Sequence, residues 1–226
     1  NGNVIDCGER PLIENIDNIP FPDFSDFPKD NYIEDYIRLQ FNRGCVGTCV
    51  YCVENDTMGY FRSRSSHRII EEIKLRIEQG YNKLQITDLA LSSDMHNLIE
   101  VSRLIIKDDL NVEFVFSEFR HSTFLTKEVF NLLRRAGFRI ICFGTESGSQ
   151  TILDRMQKLV KARTIEDNFR DAHAEGLKVI IYLMVGFPGE TEETFLETIL
   201  DIPITVSFRN GNPSILKEFN KDYDSL

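Results

Sequence analysis

At 226 residues the chain is long enough for one large core, as one domain or two, and its 42% hydrophobic and 27% charged residues are ordinary globular usage. A net charge of −10 leaves no broad basic footprint for phosphates, which argues against a nucleic-acid partner, and five cysteines, an odd number, argue against a secreted disulfide framework. No apolar run nears the ~20 residues of a bilayer span and no signal-peptide pattern opens the chain, so a cytoplasmic protein without a membrane partner is expected.

Residues 1–35 read differently from the rest. Val4-Ile5 suggests a short strand, after which Pro11, Pro20, Pro22 and Pro28 break regular structure, leaving an extended linker whose aromatic residues should rest on a neighbouring surface. From Tyr36 onward, short apolar runs alternate with helical stripes. Strands are expected at 36–43, 82–88, 112–119, 139–146, 177–186 and 204–208, each rich in Ile, Val, Phe or Tyr. Between them, Ile69, Ile70, Ile73 and Ile77 share one helical face, as do Leu98, Val101, Leu104 and Ile105; similar stripes follow Val129, Ile165 and Phe195. Gly80, Gly137 and Gly176 sit where helices should end before the next strand.

This repeated helix-glycine-strand unit implies right-handed crossovers and a parallel sheet. Six strands suit a partial (β/α)6 barrel of the TIM type, spanning 36–208, better than a closed eight-stranded one. Residues 209–226 read as a polar tail or a truncated continuation.

Chemistry concentrates in Cys45-Val46-Gly47-Thr48-Cys49-Val50-Tyr51-Cys52, where three of the five cysteines fall within eight residues just beyond the first long strand. Four-iron clusters normally take four thiolates, so three would leave one iron open to a small molecule. An open coordination position is what distinguishes a catalytic metal from a structural one. Two plainer readings compete. Cys49-Val50-Tyr51-Cys52 alone could be a redox pair of the thioredoxin kind, which would leave Cys45 spare; a zinc site would need a fourth ligand that no second cysteine or histidine pair supplies. His67, His96, His121 and His173 are scattered singly and read as surface or helix-end residues, and Cys142 as a buried strand residue. Arg43, close before the loop, could offset negative charge there or form a surface ion pair.

The loop, with Tyr51 directly before its third cysteine, resembles the signature of the radical S-adenosylmethionine (radical SAM) superfamily. Two later stretches match in the same order: Gly144-Thr145-Glu146-Ser147-Gly148-Ser149-Gln150 resembles one common in cobalamin-type and methylthiotransferase-type radical enzymes, and Gly186-Phe187-Pro188-Gly189-Glu190-Thr191 resembles the loop that runs past the adenine. The likeness covers roughly residues 16–200. It implies Cys45, Cys49 and Cys52 as ligands of a 4Fe-4S cluster. It implies SAM contacts from Tyr51, from Glu146 and Ser147, and from Gly186 and Gly189, where missing side chains would let backbone meet the base; Ser147 or Ser149 could instead be a plain helix cap.

The second strand ends Ile86-Thr87-Asp88 and lacks the glycine-glycine-glutamate motif many members carry; Asp88 could stand in toward the methionyl ammonium, or cap a short helix. Arg120 could pair with the methionine carboxylate or with neighbouring Glu118. In a parallel α/β fold these strand ends gather at one face.

Such an enzyme would take one electron from a flavodoxin- or ferredoxin-type donor and cleave SAM to a 5′-deoxyadenosyl radical that acts on a small molecule or peptide. The linker and the fourth-strand stretch favour the cobalamin-associated subclass, with cobalamin held by a domain not present in these residues. The resemblance identifies no catalytic residue beyond these contacts. A tRNA methylthiotransferase-like enzyme is the enzymatic alternative, although neither a second three-cysteine group nor a basic tail is present; a non-catalytic iron-sulfur module is the third.

Overall fold

Alternation of buried and exposed side chains sets the first strand: Ile37–Leu39 (β1) turns Ile37 and Leu39 inward and Arg38 outward. The computed structural model describes Gly8 and residues 10–26 and 35–201. Within it β1 is joined by Lys83–Ile86 (β4), Glu113–Phe119 (β5), Ile140–Glu146 (β6) and Lys178–Leu183 (β7) in one sheet of order β1-β4-β5-β6-β7, with all four pairings parallel. The order follows the chain, as expected of a partial barrel wound in one direction. The expected strand at 204–208, the tail at 209–226, Val4-Ile5 and Cys7 lie outside the described residues.

The long helices sit where the stripes put them. Ser66–Glu78 (α2), Met95–Lys107 (α3), Lys127–Arg135 (α4), Ala162–Ala174 (α6) and Glu192–Asp201 (α7) follow the sheet strands or the cysteine loop. Ser65, Asp94 and Thr126 cap the first three, each side chain accepting a hydrogen bond from a first-turn amide. Gly80, Gly137 and Gly176 follow the helix ends with φ of 81°, 102° and 73°, as the C-cap reading predicts. The helices bury Ile69, Ile70, Ile73, Leu98, Val101 and Leu133 against the sheet's Leu84, Ile86, Phe114, Ile141 and Phe143. No described helix is long and apolar enough to cross a membrane.

The run expected to be one strand over 36–43 is broken. After Leu39 the backbone leaves the sheet, and Phe41 and Asn42 donate their amides at 2.8 and 3.0 Å to the two carboxylate oxygens of Asp88. Asn42–Arg43 (β2) then pairs antiparallel with Arg62–Ser63 (β3), so the cysteine loop between them is the closed end of a long hairpin. The apolar pattern could not show this, because a two-residue strand carries no periodicity. Two short helices, Glu54–Met58 (α1) and Gln150–Arg155 (α5), also escaped it.

The proline-rich segment 10–26 lies along α2 with a 3-10 turn at Ile16–Asn18 and Ile16 buried. Arginines of α2 take up its aromatic rings, Arg68 lying 3.6 Å from the centre of Phe21 and Arg76 4.9 Å from that of Phe24. Arg76 is fully buried; it bonds Glu72, whose other oxygen takes Arg64, and donates to the Pro22 carbonyl. The buried Arg76 charge is thus paired through both terminal nitrogens, while its Nε has no hydrogen-bond partner.

Candidate functional site

The three cysteines lie at the C-terminal edge of the sheet, between β2 and α1. Cys45 and Cys49 are half-buried, Cys52 is exposed, and all three are free thiols. The loop is fixed from both sides. The Val50 amide donates to the Met156 carbonyl just past α5, at 3.1 Å, and the Cys52 amide to the Cys49 carbonyl at 3.1 Å.

Arg120, at the end of β5, directs Nη1 at two of the sulfurs, 3.7 Å from Cys45 and 3.9 Å from Cys49, while Nη2 donates to the Lys158 carbonyl at 3.1 Å. The Gly47 amide donates to Cys45 Sγ at 3.3 Å. A Cβ on Gly47 would stand 1.8 Å from Arg120 Nη1, so glycine is what lets the guanidinium reach the sulfurs. Arg43, which could either offset charge here or form a surface ion pair, donates Nε to Gln40 at 2.8 Å. Arg120 does not pair with Glu118, whose carboxyl is held above its usual range by burial and then by Glu54.

A guanidinium and an amide pointing at sulfur complement the negative charge that a metal-bound sulfur carries. Among the described residues, no three His, Cys, Asp or Glu side chains converge closely enough to hold a single metal ion. A four-iron cluster spreads its thiolates over separate corners and needs no such convergence. Three sulfur donors on one loop are the ligand set of a four-iron cluster with one iron left open.

Beside the loop, a cleft of about 450 Å³ is lined by Val50, Tyr51, Gly186, Phe187 and Pro188. The Tyr51 and Phe187 rings meet edge to face at 6.3 Å. Gly186 has φ of 81° and open space where a side chain would stand, so its backbone conformation is what favours glycine there. Its amide donates to Glu190 at 2.6 Å. Gly189 is left-handed too, with φ of 89°, and in addition a Cβ there would stand 1.4 Å from Arg155 Nη1.

Glu146 ends β6 at a bulge in its pairing with β7, with φ of 68°, a strained conformation for a residue other than glycine. Its carboxylate takes the Lys158 ammonium at 3.3 Å, and the same ammonium donates to the Tyr51 hydroxyl at 3.0 Å. Burial, then the negative charges of Glu146 and Cys49, raise the Tyr51 phenol and keep it protonated. Lys158 follows the matched fourth-strand stretch, but its role is not legible there; the turn after α5 is what brings it back beside Glu146.

Two expected contacts lie elsewhere. Ser147 is fully buried and bonds Thr198 of α7 at 2.9 Å, which ties that helix to the sheet. Asp88 is 2% exposed with both oxygens committed to the Phe41 and Asn42 amides; it caps no helix, but holds the stem of the cysteine loop. His121, read as a surface residue, is buried between Thr145 and Asn168 and stacked on Phe143 at 4.1 Å, and burial pulls its pKa down to about 3.

Burial raises Asp88 from 3.8 to about 7, although the two amides and Arg64 oppose it. Between those values the folded chain binds more protons than the unfolded chain, so this group's contribution falls as pH rises from about 4 to 7. The stability of the protein relative to Asp88→Asn should therefore drop by on the order of 4 kcal/mol across that window. His121 acts in the opposite sense, its folded pKa being lowered, but is common to both proteins and cancels. Urea unfolding of the pair at several pH values checks this, and a difference that grows with pH would refute it.

The family model of the radical SAM superfamily matches residues 39–202. This chain belongs to the radical SAM superfamily. Curated relatives include the uncharacterized methyltransferase PH0819 of Pyrococcus horikoshii, 31% identical over 204 residues that make up 88% of this chain and 44% of the relative. The threonylcarbamoyladenosine tRNA methylthiotransferase MtaB of Bacillus subtilis is 29% identical over 171 residues, 71% of this chain and 38% of that protein. Among solved structures, the radical SAM methyltransferase TsrM from Kitasatospora setae, with tryptophan substrate and a SAM analogue bound, superposes with a TM-score of 0.67 at 21% identity, covering 76% of this chain and 35% of that one. That likeness is one of fold. The chain spans less than half the length of these relatives. Radical SAM membership implies a 4Fe-4S cluster, SAM, a reductant and a substrate.

Proposed function

We propose that this chain is the core of an enzyme that cleaves SAM reductively and uses the product radical for methylation or rearrangement of its substrate. The observation that carries this is the set of three free cysteines at the sheet's C-terminal edge, with Arg120 on two sulfurs and the Tyr51–Gly186–Phe187 cleft alongside. Cys45, Cys49 and Cys52 would hold the cluster. When bound, the cluster supplies one electron to the sulfonium, giving methionine and a 5′-deoxyadenosyl radical.

The protein's part is electrostatic and steric. Arg120 offsets negative charge on the sulfurs. Tyr51, Gly186 and Phe187 offer a mostly apolar wall for adenine. Glu146 suits ribose hydroxyls or the amino group once Lys158 shares its carboxylate. Of the contacts expected from the sequence, Asp88 and Ser147 drop out and Lys158 enters. The electron donor is of flavodoxin or ferredoxin type, the setting cytoplasmic, and the substrate a small molecule or peptide. Cobalamin as a further cofactor is supported by the likeness of fold to TsrM solved with cobalamin bound and to the cobalamin-dependent radical enzyme OxsB.

Anaerobically reconstituted protein should bind about four irons per chain and form 5′-deoxyadenosine from SAM under dithionite. Iron without 5′-deoxyadenosine would support a non-catalytic module, and zinc in place of iron would end the radical reading. The identity to MtaB keeps a tRNA methylthiotransferase-like enzyme as the second reading; sulfur insertion into tRNA discriminates it. Replacing Arg120 with Met should lower the cluster's reduction potential by tens of millivolts, because an anionic centre loses a neighbouring cation. Redox titration followed by electron paramagnetic resonance measures this, and an unchanged potential removes Arg120 from the account.

A further inference from the structure

Arg62 lies in β3, outside the cysteine motif, yet it is 8% exposed; its guanidinium donates to three backbone carbonyls and lies 5.1 Å from the centre of the Tyr60 ring. Nη2 donates to Met58 at 2.5 Å, Nε to Tyr60 at 3.1 Å and Nη1 to Ile13 at 3.0 Å. The first two carbonyls belong to the stretch that leads away from Cys52; the third belongs to the N-terminal segment, 49 residues earlier. Nothing in the radical SAM motif calls for these contacts.

The same stretch supports the other end of the loop. A Cβ on Gly44 would stand 2.7 Å from the Gly59 carbonyl oxygen and 2.8 Å from that of Tyr60, so the backbone just before Cys45 rests directly on the backbone just after α1. A Cβ on Gly59 would in turn stand 2.2 Å from Leu12 Cδ1, which places the N-terminal segment on the outer side of that layer. Leu12, Gly59–Tyr60 and Gly44 are thus stacked in order, and Arg62 ties the outer two layers together. Asp17, accepting from the Ser65 amide at 2.9 Å, and Arg76, bonded to Pro22, fasten the segment further along α2.

We propose that Arg62 is a positioning residue for the cysteine loop, and that the N-terminal segment holds that loop in shape through Arg62 and Leu12. The inference rests on the cysteines being the cluster ligands, but its consequence is mechanical and is present in metal-free protein. Loss of the three donors frees the Met58–Tyr60 backbone, which is the floor under Gly44 and the anchor beyond Cys52. Displacement of Leu12 acts on the same floor from outside.

Hydrogen exchange of the metal-free protein, resolved by peptide, tests this. In Arg62→Met and in Leu12→Glu, residues 44–60 should exchange about tenfold faster while β6 is unchanged, a local opening rather than a global one. Arg62→Lys should restore part of the protection, since an ammonium can still serve one of the carbonyls. Leu133→Ala in α4, fully buried and away from the N-terminal segment, is the control: it should lower the melting temperature through lost packing and leave residues 44–60 protected relative to β6. In reconstituted protein, Arg62→Met should also release iron to a chelator faster than the parent. Unaltered exchange of 44–60 in Arg62→Met, or an equal rise in β6, overturns the proposal; an effect in Arg62→Met with none in Leu12→Glu overturns the part given to the N-terminal segment. A protein that shows the expected exchange pattern but never takes up iron would instead overturn the cluster reading.

Discussion

Alanine at Cys45, Cys49 or Cys52 should abolish 5′-deoxyadenosine formation and leave reconstituted protein with little bound iron, while changing the unfolding free energy by no more than about 0.5 kcal/mol. The two effects separate because none of the three side chains is in the core: Cys52 is exposed and the other two are half-buried. Cys142 is the internal comparison. It is fully buried in β6, and burial, then Glu118, push its thiol up to about 12, so it is neither a thiolate nor within the loop. Cys142→Ala should keep iron and activity and cost about 1 kcal/mol of stability for the lost packing. Iron analysis, product chromatography and urea unfolding of the four variants decide it. Retained cleavage with all three loop cysteines replaced would rule the assignment out.

Phe114→Ala should be the most damaging substitution to the fold, at about 3–5 kcal/mol, against a total of about 5–15 kcal/mol for proteins of this kind. Phe114 is completely buried in β5, its ring 4.5 Å from Phe138 and 6.2 Å from Phe41 in an edge-to-face contact. The site should suffer too. Phe41 is the residue whose amide meets Asp88 at the stem of the cysteine loop, and it loses the ring it packs on. Phe114→Leu, which keeps most of the volume, should cost about half as much. Denaturant midpoints and iron retention provide the check, and a cost under about 1 kcal/mol for the alanine variant would mean the cavity collapses without penalty.

Residues that carry a period were legible from the sequence. Ile69, Ile70 and Ile73 announce a helix, and the runs around Leu84, Phe114, Ile141 and Val179 announce parallel strands, because one-sided burial writes itself into composition. The cysteine spacing was legible for a different reason, since ligands of one cluster must sit close on one loop. Polar residues away from that loop were not. Asp88 looks like a free carboxylate until the break after Leu39 is seen to turn two amides toward it. His121 looks like a surface residue until Asn168 and Thr145, 47 and 24 positions away, close on its ring. Arg62 and Lys158 act on partners 49 and 107 residues distant, and no local rule reports such pairs.

The left-handed backbone at Glu146 sets the scaffold's durability against its chemistry at a single position. Holding a side-chain-bearing residue in that conformation costs about 1–3 kcal/mol, so an engineer seeking a hardier protein would choose glycine there. The same exchange would delete the carboxylate that the Lys158 ammonium rests on. Efforts to toughen this scaffold should therefore begin at other positions and leave that one bend uncomfortable.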